Sequence, residues 1–285
     1  MRVPVVVGCA VVALGFLVGV TTPYGKVALP AARTGPTATP AAAQPLLRAA
    51  SVTMPAAVFR SWALLDTRTG KLSGSDTIAA TSDTLSMVKA WLAADHLRLA
   101  AQRRERPSTE RLDELSIMIR DSDNEAAEDI FRRNGGTASI QRLIRTCGLT
   151  DSSAVPGRWS ETRMSARDAV RMGACLADGR AAGPQWTSWV LDEMRRVRGD
   201  GRFGIVKALP AEAAAKTAIK NGWLLRDTDG LWHVNCLAVG DGWALAVMLR
   251  YQPSLGFPYG GAVCEQVTRQ LLNPAATVRA SPPPT

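Results

Sequence analysis

Charge is absent from residues 3–20, "VPVVVGCAVVALGFLVGV", and only Met1 and Arg2 precede them. An uncharged run of that length behind a lone arginine predicts an export signal or an uncleaved membrane anchor over residues 1–22. Residues 23–50 are rich in Ala, Pro and Thr and carry no apolar period, which predicts a flexible linker. The tail, residues 273–285, "NPAATVRASPPPT", has the same character and is expected to be disordered. The folded domain is therefore expected over residues 51–272. Within it, "FRSWALLDTRTGKLSGS" (59–75) predicts two strands around a turn at Thr67 to Gly70. A helix follows, opening near Ser86, with Val88, Trp91, Leu92 and Leu99 on one face. Helical patterns continue through "RLDELSIMI", "NEAAEDIFRRNGG", "ASIQRLIRTCGL" and "SARDAVRMGACLADG". From Lys216 the pattern changes to three strand-like runs, "KTAIKNGWLL", "LWHVNCLAV" and "WALAVMLRY", divided by "RDTDG" and "GDG" turns. "GAVCEQVTRQLL" supplies a last helix. Strands at both ends and helices between predict an α/β (α+β) fold. Its antiparallel sheet is assembled from the two chain ends, packed with helices, and stands beside an all-helical lobe. The groove between the lobes is the expected place for a site.

Composition adds little to the fold and more to the surroundings. The chain is 285 residues long with a formal charge of +9, and only six of its 34 basic residues are lysine. Such basicity suits attraction to anionic envelope polymers or lipid head groups, and equally a general solubility bias. No basic helix and no aromatic RNA-binding pattern occurs, which argues against nucleic acid. Of five cysteines, Cys9 falls in the apolar segment. The other four, Cys147, Cys175, Cys236 and Cys264, form an even set. Three pairings are open to them. The pairing 147 with 175 and 236 with 264 keeps each bridge within one region, and four buried free thiols are the alternative. With no C-x-x-C and only His96 and His233, neither a zinc site nor another cofactor is expected.

Three short motifs carry candidate chemistry. Ser86-Met87-Val88-Lys89 is the one S-x-x-K of the chain. A lysine one helical turn from a serine can take its proton and make it a nucleophile, and a helix start favours developing negative charge. An N-cap serine with a solvated lysine would give the same spacing. Ser122-Asp123-Asn124 reads either as a capping box, Ser122 with Glu125, or as a proton relay beside an amide that holds a substrate backbone. Lys220-Asn221-Gly222 lies in a strand-like run. There the lysine is solvated or functional, and the glycine permits close backbone approach.

In this order, S-x-x-K at a helix start, S-D-N between helices and K-x-G on a late strand resemble the serine β-lactamase and penicillin-binding protein superfamily, and class A β-lactamases most closely. "MIRDSDNEAAEDIFRRNGG" is similar to that family's core helix and "KNGW" to its active-site edge strand. The resemblance covers most of residues 56–272. It implies that Ser86 attacks a carbonyl to form an acyl-enzyme, with Lys89 as base or as part of a relay through Ser122. The backbone N–H groups of Ser86 and Trp223 would form the oxyanion hole. Lys220, Asn221 and Gly222 would receive the substrate's carboxylate end, and Asn124 its amide. The implied partners are β-lactams or D-alanyl peptides of the cell wall, handled by a monomer that is secreted or tethered to the envelope.

The chain departs from that family in three places. Asn221 stands where threonine is usual. Ser86 and Ser122 are 36 residues apart, a shorter interval than the family pattern, which implies a trimmed wall and an open cleft. The family's R-W-E pattern supplies a glutamate on a long loop that activates the deacylating water. Here Arg158-Trp159 is followed by Ser160, with Glu161 one place late and the next helix expected near Ser165. Glu161 is therefore either that base or an exposed loop carboxylate. A catalytically degenerate envelope scaffold that keeps the fold is the competing reading. A Ser-His-Asp esterase is remote, because neither histidine sits in a recognisable motif.

Overall fold

The structure, a computed structural model, describes Gly19 and residues 45–273. The expected signal, most of the linker and the tail beyond Asn273 lie outside the described residues. Among those described, no helix is long and apolar enough to cross a membrane. The two ends of the described segment hold each other. Leu47, buried, bridges to Leu272, Arg48 N–H donates to Leu271 O at 2.9 Å, and Asn273 N–H donates to Leu46 O at 2.8 Å. Packing thus begins near Pro45, ahead of the expected boundary at residue 51. Composition marked this stretch as linker because a lone pairing segment carries no periodicity.

The amino-terminal strands are β1 (Phe59–Asp66), β2 (Leu72–Gly74) and β3 (Thr81–Asp83). A helical block follows: α1 (Lys89–Gln102), α2 (Thr109–Arg120), α3 (Asn124–Arg133) and α4 (Thr137–Cys147). Then come β4 (Arg163–Ser165), α5 (Ala166–Ala177), α6 (Thr187–Arg195) and the short α7 (Ile205–Ala208) and α8 (Ala211–Lys216). The chain closes with β5 (Ala218–Ile219), β6 (Gly222–Leu225), β7 (Trp232–Gly240), β8 (Trp243–Tyr251) and α9 (Gly256–Leu271). The main sheet runs β2-β1-β8-β7-β5 with β6 also on β7, all antiparallel. It is built from both chain ends, as the pattern predicts. The β3–β4 pair and α6 go beyond the sequence reading, since three-residue strands are too short to show a period.

Alternation along β7 divides the sheet into two faces. Cys236 and Val234 point to α9, where Cys236 bonds Cys264 and Val234 meets Gly260. Leu237 and Val239 point to α5, against Gly173. A Cβ on Gly173 would come within 3.0 Å of Val239, so the helix and sheet approach closely only because that residue has none. In the helical lobe α1 is central, with Ala90 to Ala94 and Leu97 fully buried, as expected for a helix apolar on all sides. Its buried Asp95 accepts from Ser139 Oγ at 2.7 Å and from Arg142 Nη2 at 2.6 Å, which satisfies a charge that would otherwise be costly to bury.

The disulfides are Cys147–Cys175, joining the end of α4 to α5, and Cys236–Cys264, joining β7 to α9. Both follow the within-region pairing. Each links residues 28 apart in sequence, and closing a loop of that size stabilises the fold by roughly 3 kcal/mol. Replacing Cys147 and Cys175 together by Ala should lower the melting temperature by about 10 °C for a domain of this size, measured by differential scanning calorimetry. Unreduced wild-type domain should take up no iodoacetamide at these four positions.

Candidate active site

The first turn of the central helix is a 3-10 turn, Leu85–Val88, that runs directly into α1. Leu85 holds φ +49°, left-handed backbone that costs a branched residue roughly 1–3 kcal/mol. It sets Ser86, half-buried, on the wall of a cleft of about 520 Å³. Ser86 is not a cap: the capping position is Thr84, and Ser86 Oγ makes no hydrogen bond among the described residues. Nor is Lys89 solvated. It is completely buried, and its ammonium donates to Ser122 O at 2.5 Å and to Asn124 Oδ1 at 2.7 Å. Trp159 covers it, with the ring centroid 5.1 Å from Nζ. Burial pushes the Lys89 amine down to about 7, with the charge of Asp123 a partial counterweight.

Ser122 is likewise released from the capping box that its sequence allowed. Asp123 caps α3 by accepting from Ala126 N–H at 2.8 Å, and Ser122 takes φ +62° immediately before it. Its hydroxyl thereby faces inward, accepting from Lys220 Nζ at 2.9 Å and lying 3.5 Å from Lys89 Nζ. Lys220 is completely buried, and burial first, then the neighbouring charge of Lys89, pushes its amine well below the usual lysine value. Two lysines 131 positions apart in the sequence therefore meet at one hydroxyl.

β5 and β6 form one edge of the sheet, interrupted at Lys220 and Asn221. There Leu237 N–H donates to Asn221 Oδ1 at 3.2 Å. The same side chain donates to Gly201 O and Phe203 O, both at 3.0 Å. The Asn221 amide is thus tied to protein backbone at both ends. It anchors the 201–203 loop to the edge strand. Gly222 explains the fit of the strand on the nucleophile: a Cβ there would lie 2.8 Å from Ser86 N and 2.9 Å from Thr84 O. Lys220 N–H donates to Leu237 O and Arg226 N–H to Leu231 O. In that register the alternation leaves Trp223 in a non-hydrogen-bonded pair with Val234, its N–H directed off the sheet edge. That edge adjoins Ser86, so the two N–H groups expected to form an oxyanion hole lie on neighbouring backbones.

The far wall carries the carboxylates. Glu161 lines the same cleft, and its Oε1 is paired with Arg158 at 2.8 Å and Arg226 at 3.3 Å. Arg226 also donates to Asp83, two residues before the 3-10 turn, at 2.6 Å. His233 meets Asp83 at 2.6 Å and Asp229 at 2.8 Å, and Asn235 donates to Asp83 O at 2.8 Å. Burial alone would raise the Asp83 carboxyl, but His233 and Arg226 outweigh it and hold the group below its usual value. His233 is thus a structural clasp on the segment that leads into Ser86. Two cleft residues were given no role from sequence: Trp159, read only as part of a loop pattern, and Glu128, one turn after Asn124 on α3. Glu128 accepts from Trp159 Nε1 at 3.1 Å. The i, i+4 spacing from Asn124 is the sign that could have placed it in the cleft. Among the described residues no group of three or more His, Cys, Asp or Glu is arranged to hold a metal.

The arrangement is similar to proteins of known structure. An ancestral class A β-lactamase superposes with a TM-score of 0.59 at 20% identity, covering 78% of this chain and 94% of that one. The TLA-3 extended-spectrum β-lactamase gives 0.63 at 15%, covering 75% and 93%. A β-lactamase of Chitinophaga pinensis gives 0.60 at 15%, covering 74% and 92%. At such identities the likeness concerns the fold. In sequence the chain is 32% identical over 191 residues to LppW of Mycobacterium tuberculosis and of Mycobacterium bovis, whose name assigns it to the lipoproteins. That match takes in 63% of this chain and spans 59% of the length of the relative. The sequence model of the β-lactamase enzyme family runs from residue 61 to residue 272, through every strand and helix of the cleft, and the chain belongs to that family.

Proposed function

We propose that the protein is an exported serine hydrolase that forms an acyl-enzyme at Ser86 with β-lactams or D-alanyl cell-wall peptides. The observation that carries this reading is the burial of Lys89 and Lys220 around Ser122. Enclosing two lysines costs several kcal/mol and returns no ion pair to either among the described residues. It does return a base: an amine near 7 is largely neutral just above that pH and can accept a proton.

In acylation, Ser86 Oγ attacks the substrate carbonyl and its proton passes to Lys89, directly or through the Ser122 hydroxyl. The oxyanion is held by the N–H groups of Ser86 and Trp223. Collapse expels the leaving amine, which takes the proton back through Ser122. Asn124 orients the substrate amide, and Lys220 faces its carboxylate from behind Ser122. Residues outside the described region support export only through their composition. The two disulfides favour an oxidising compartment, and the lipoprotein name of the relative agrees with a tether. The indole seated over Lys89 and the anchoring role of Asn221 favour a second reading, an envelope binding protein that keeps the fold without turnover.

Intact-mass measurement after incubation with benzylpenicillin should show one covalent adduct on wild type and none on Ser86→Ala; a wild type without adduct or hydrolysis leaves only the binding-protein reading. The acylation rate should rise with pH through about 7 and then level, because the neutral amine of Lys89 is the active form; below that pH it should fall about tenfold per unit, measured by stopped flow. Gly222→Ala should cut acylation by roughly 100-fold and lower the melting temperature as well, since the added Cβ meets backbone at Ser86 and Thr84 and displaces the Ser86 N–H.

A further inference from the structure

An acyl-enzyme is useful as a hydrolase only if water can remove the acyl group, and two carboxylates line the cleft that holds Ser86, Glu161 and Glu128. Their surroundings differ. Glu161 is held by two guanidinium groups, Arg158 and Arg226, and Arg226 is itself clamped to Asp83. Both pairs fall on Oε1 and bind the loop to the edge strand, so this carboxylate is already committed to a structural role. Glu128 forms no ion pair among the described residues, although the chain is strongly basic. Its one hydrogen bond is neutral, from the Trp159 indole to Oε2; Oε1 has no partner among the described residues, and the residue lines the cleft.

Position adds to chemistry. Glu128 lies one helical turn below Asn124, whose side chain accepts from Lys89 at 2.7 Å. The indole that holds Glu128 is the same ring that lies over Lys89. Ser86, Asn124, Trp159 and Glu128 therefore line one open cleft, with the exposed carboxylate oriented by a third group.

We infer that Glu128, on α3, is the general base for deacylation, with Trp159 as its positioning residue. The step rests on the acyl-Ser86 reading. Water adds to the ester carbonyl as one of its protons passes to Glu128, and the oxyanion forms against the Ser86 and Trp223 N–H groups. Collapse breaks the bond from carbon to Ser86 Oγ, Oγ recovers the proton, and the acid product leaves. Glu128 returns to its carboxylate.

The test is a chromogenic cephalosporin followed by stopped flow and by intact mass, on wild type, E128Q, E161Q and W159F. Expected is an acylation rate for E128Q within about threefold of wild type and deacylation slower by about 100-fold, so that the adduct accumulates. W159F, which removes the N–H and keeps an aromatic ring over Lys89, should slow deacylation by about tenfold with acylation retained. E161Q should affect deacylation at least about tenfold less than E128Q. Glu128 is exposed, so E128Q should melt within about 2 °C of wild type, and a larger loss would make its slow step structural and overturn the assignment. Accumulation in E161Q but not E128Q, or equal deacylation in all variants, also overturns it. A wild-type adduct that persists for hours overturns Glu128 as a base while Ser86 acylation stands. A wild type with neither adduct nor turnover removes the acyl-serine reading and this one with it.

Discussion

The structure depends on the meeting of Lys89 and Lys220 at the hydroxyl of Ser122. Three segments converge there: the start of the central helix, the turn between α2 and α3, and the edge strand. Hydrophobic burial alone would not hold such a junction, because two amines resist removal from water. It persists because its members find partners in protein. Ser122 supplies a carbonyl and a hydroxyl, Asn124 an amide oxygen, and Trp159 a ring face. The cost appears as depressed amine basicity, and that is the property from which a proton acceptor is made.

Much of the surrounding structure serves to keep this junction in register. Leu85 and Ser122 are two of three non-glycine residues with left-handed backbone among those described; the first sets Ser86 on the cleft wall and the second turns its own hydroxyl to the two lysines. Gly222 admits the edge strand to the backbone of Ser86, and Asn221 fixes that strand to the 201–203 loop. On the other side, His233, Arg226 and Asn235 close on Asp83, so the segment before Ser86 is clasped from β7 and β6 together. The disulfides lie behind these contacts and secure α4 to α5 and β7 to α9.

How much of this was legible depends on the range of each interaction. The strands at the two ends, the helical block and the cysteine pairing follow from periodicity and spacing, which are local or regional properties. Ser86 and Lys89 were legible as a pair because one helical turn separates them. Ser122 was ambiguous, since a cap and a relay demand the same residue types, and only the presence of Asp123 as the actual cap settles its direction. Asn221 was assigned to substrate because it stands at the position where the family's threonine is usual. What no local signal could give is that its side chain also completes the ladder across to Leu237. Glu128 gave no signal and Trp159 no hint of its partner, because their bond joins an exposed helix position to a loop 31 residues away.

The sequence by itself determined the order of the long strands and helices, the candidate nucleophile, its lysine, the edge-strand lysine and glycine, and the shortness of the loop after Arg158. Each of these is written in residue type and spacing. Only the tertiary structure decided that both lysines are buried, that they share one hydroxyl, and which carboxylates line the cleft. The physical reason is that burial and charge coupling belong to contacts between distant segments. Desolvation lowers an amine's proton affinity only once another element has closed over it.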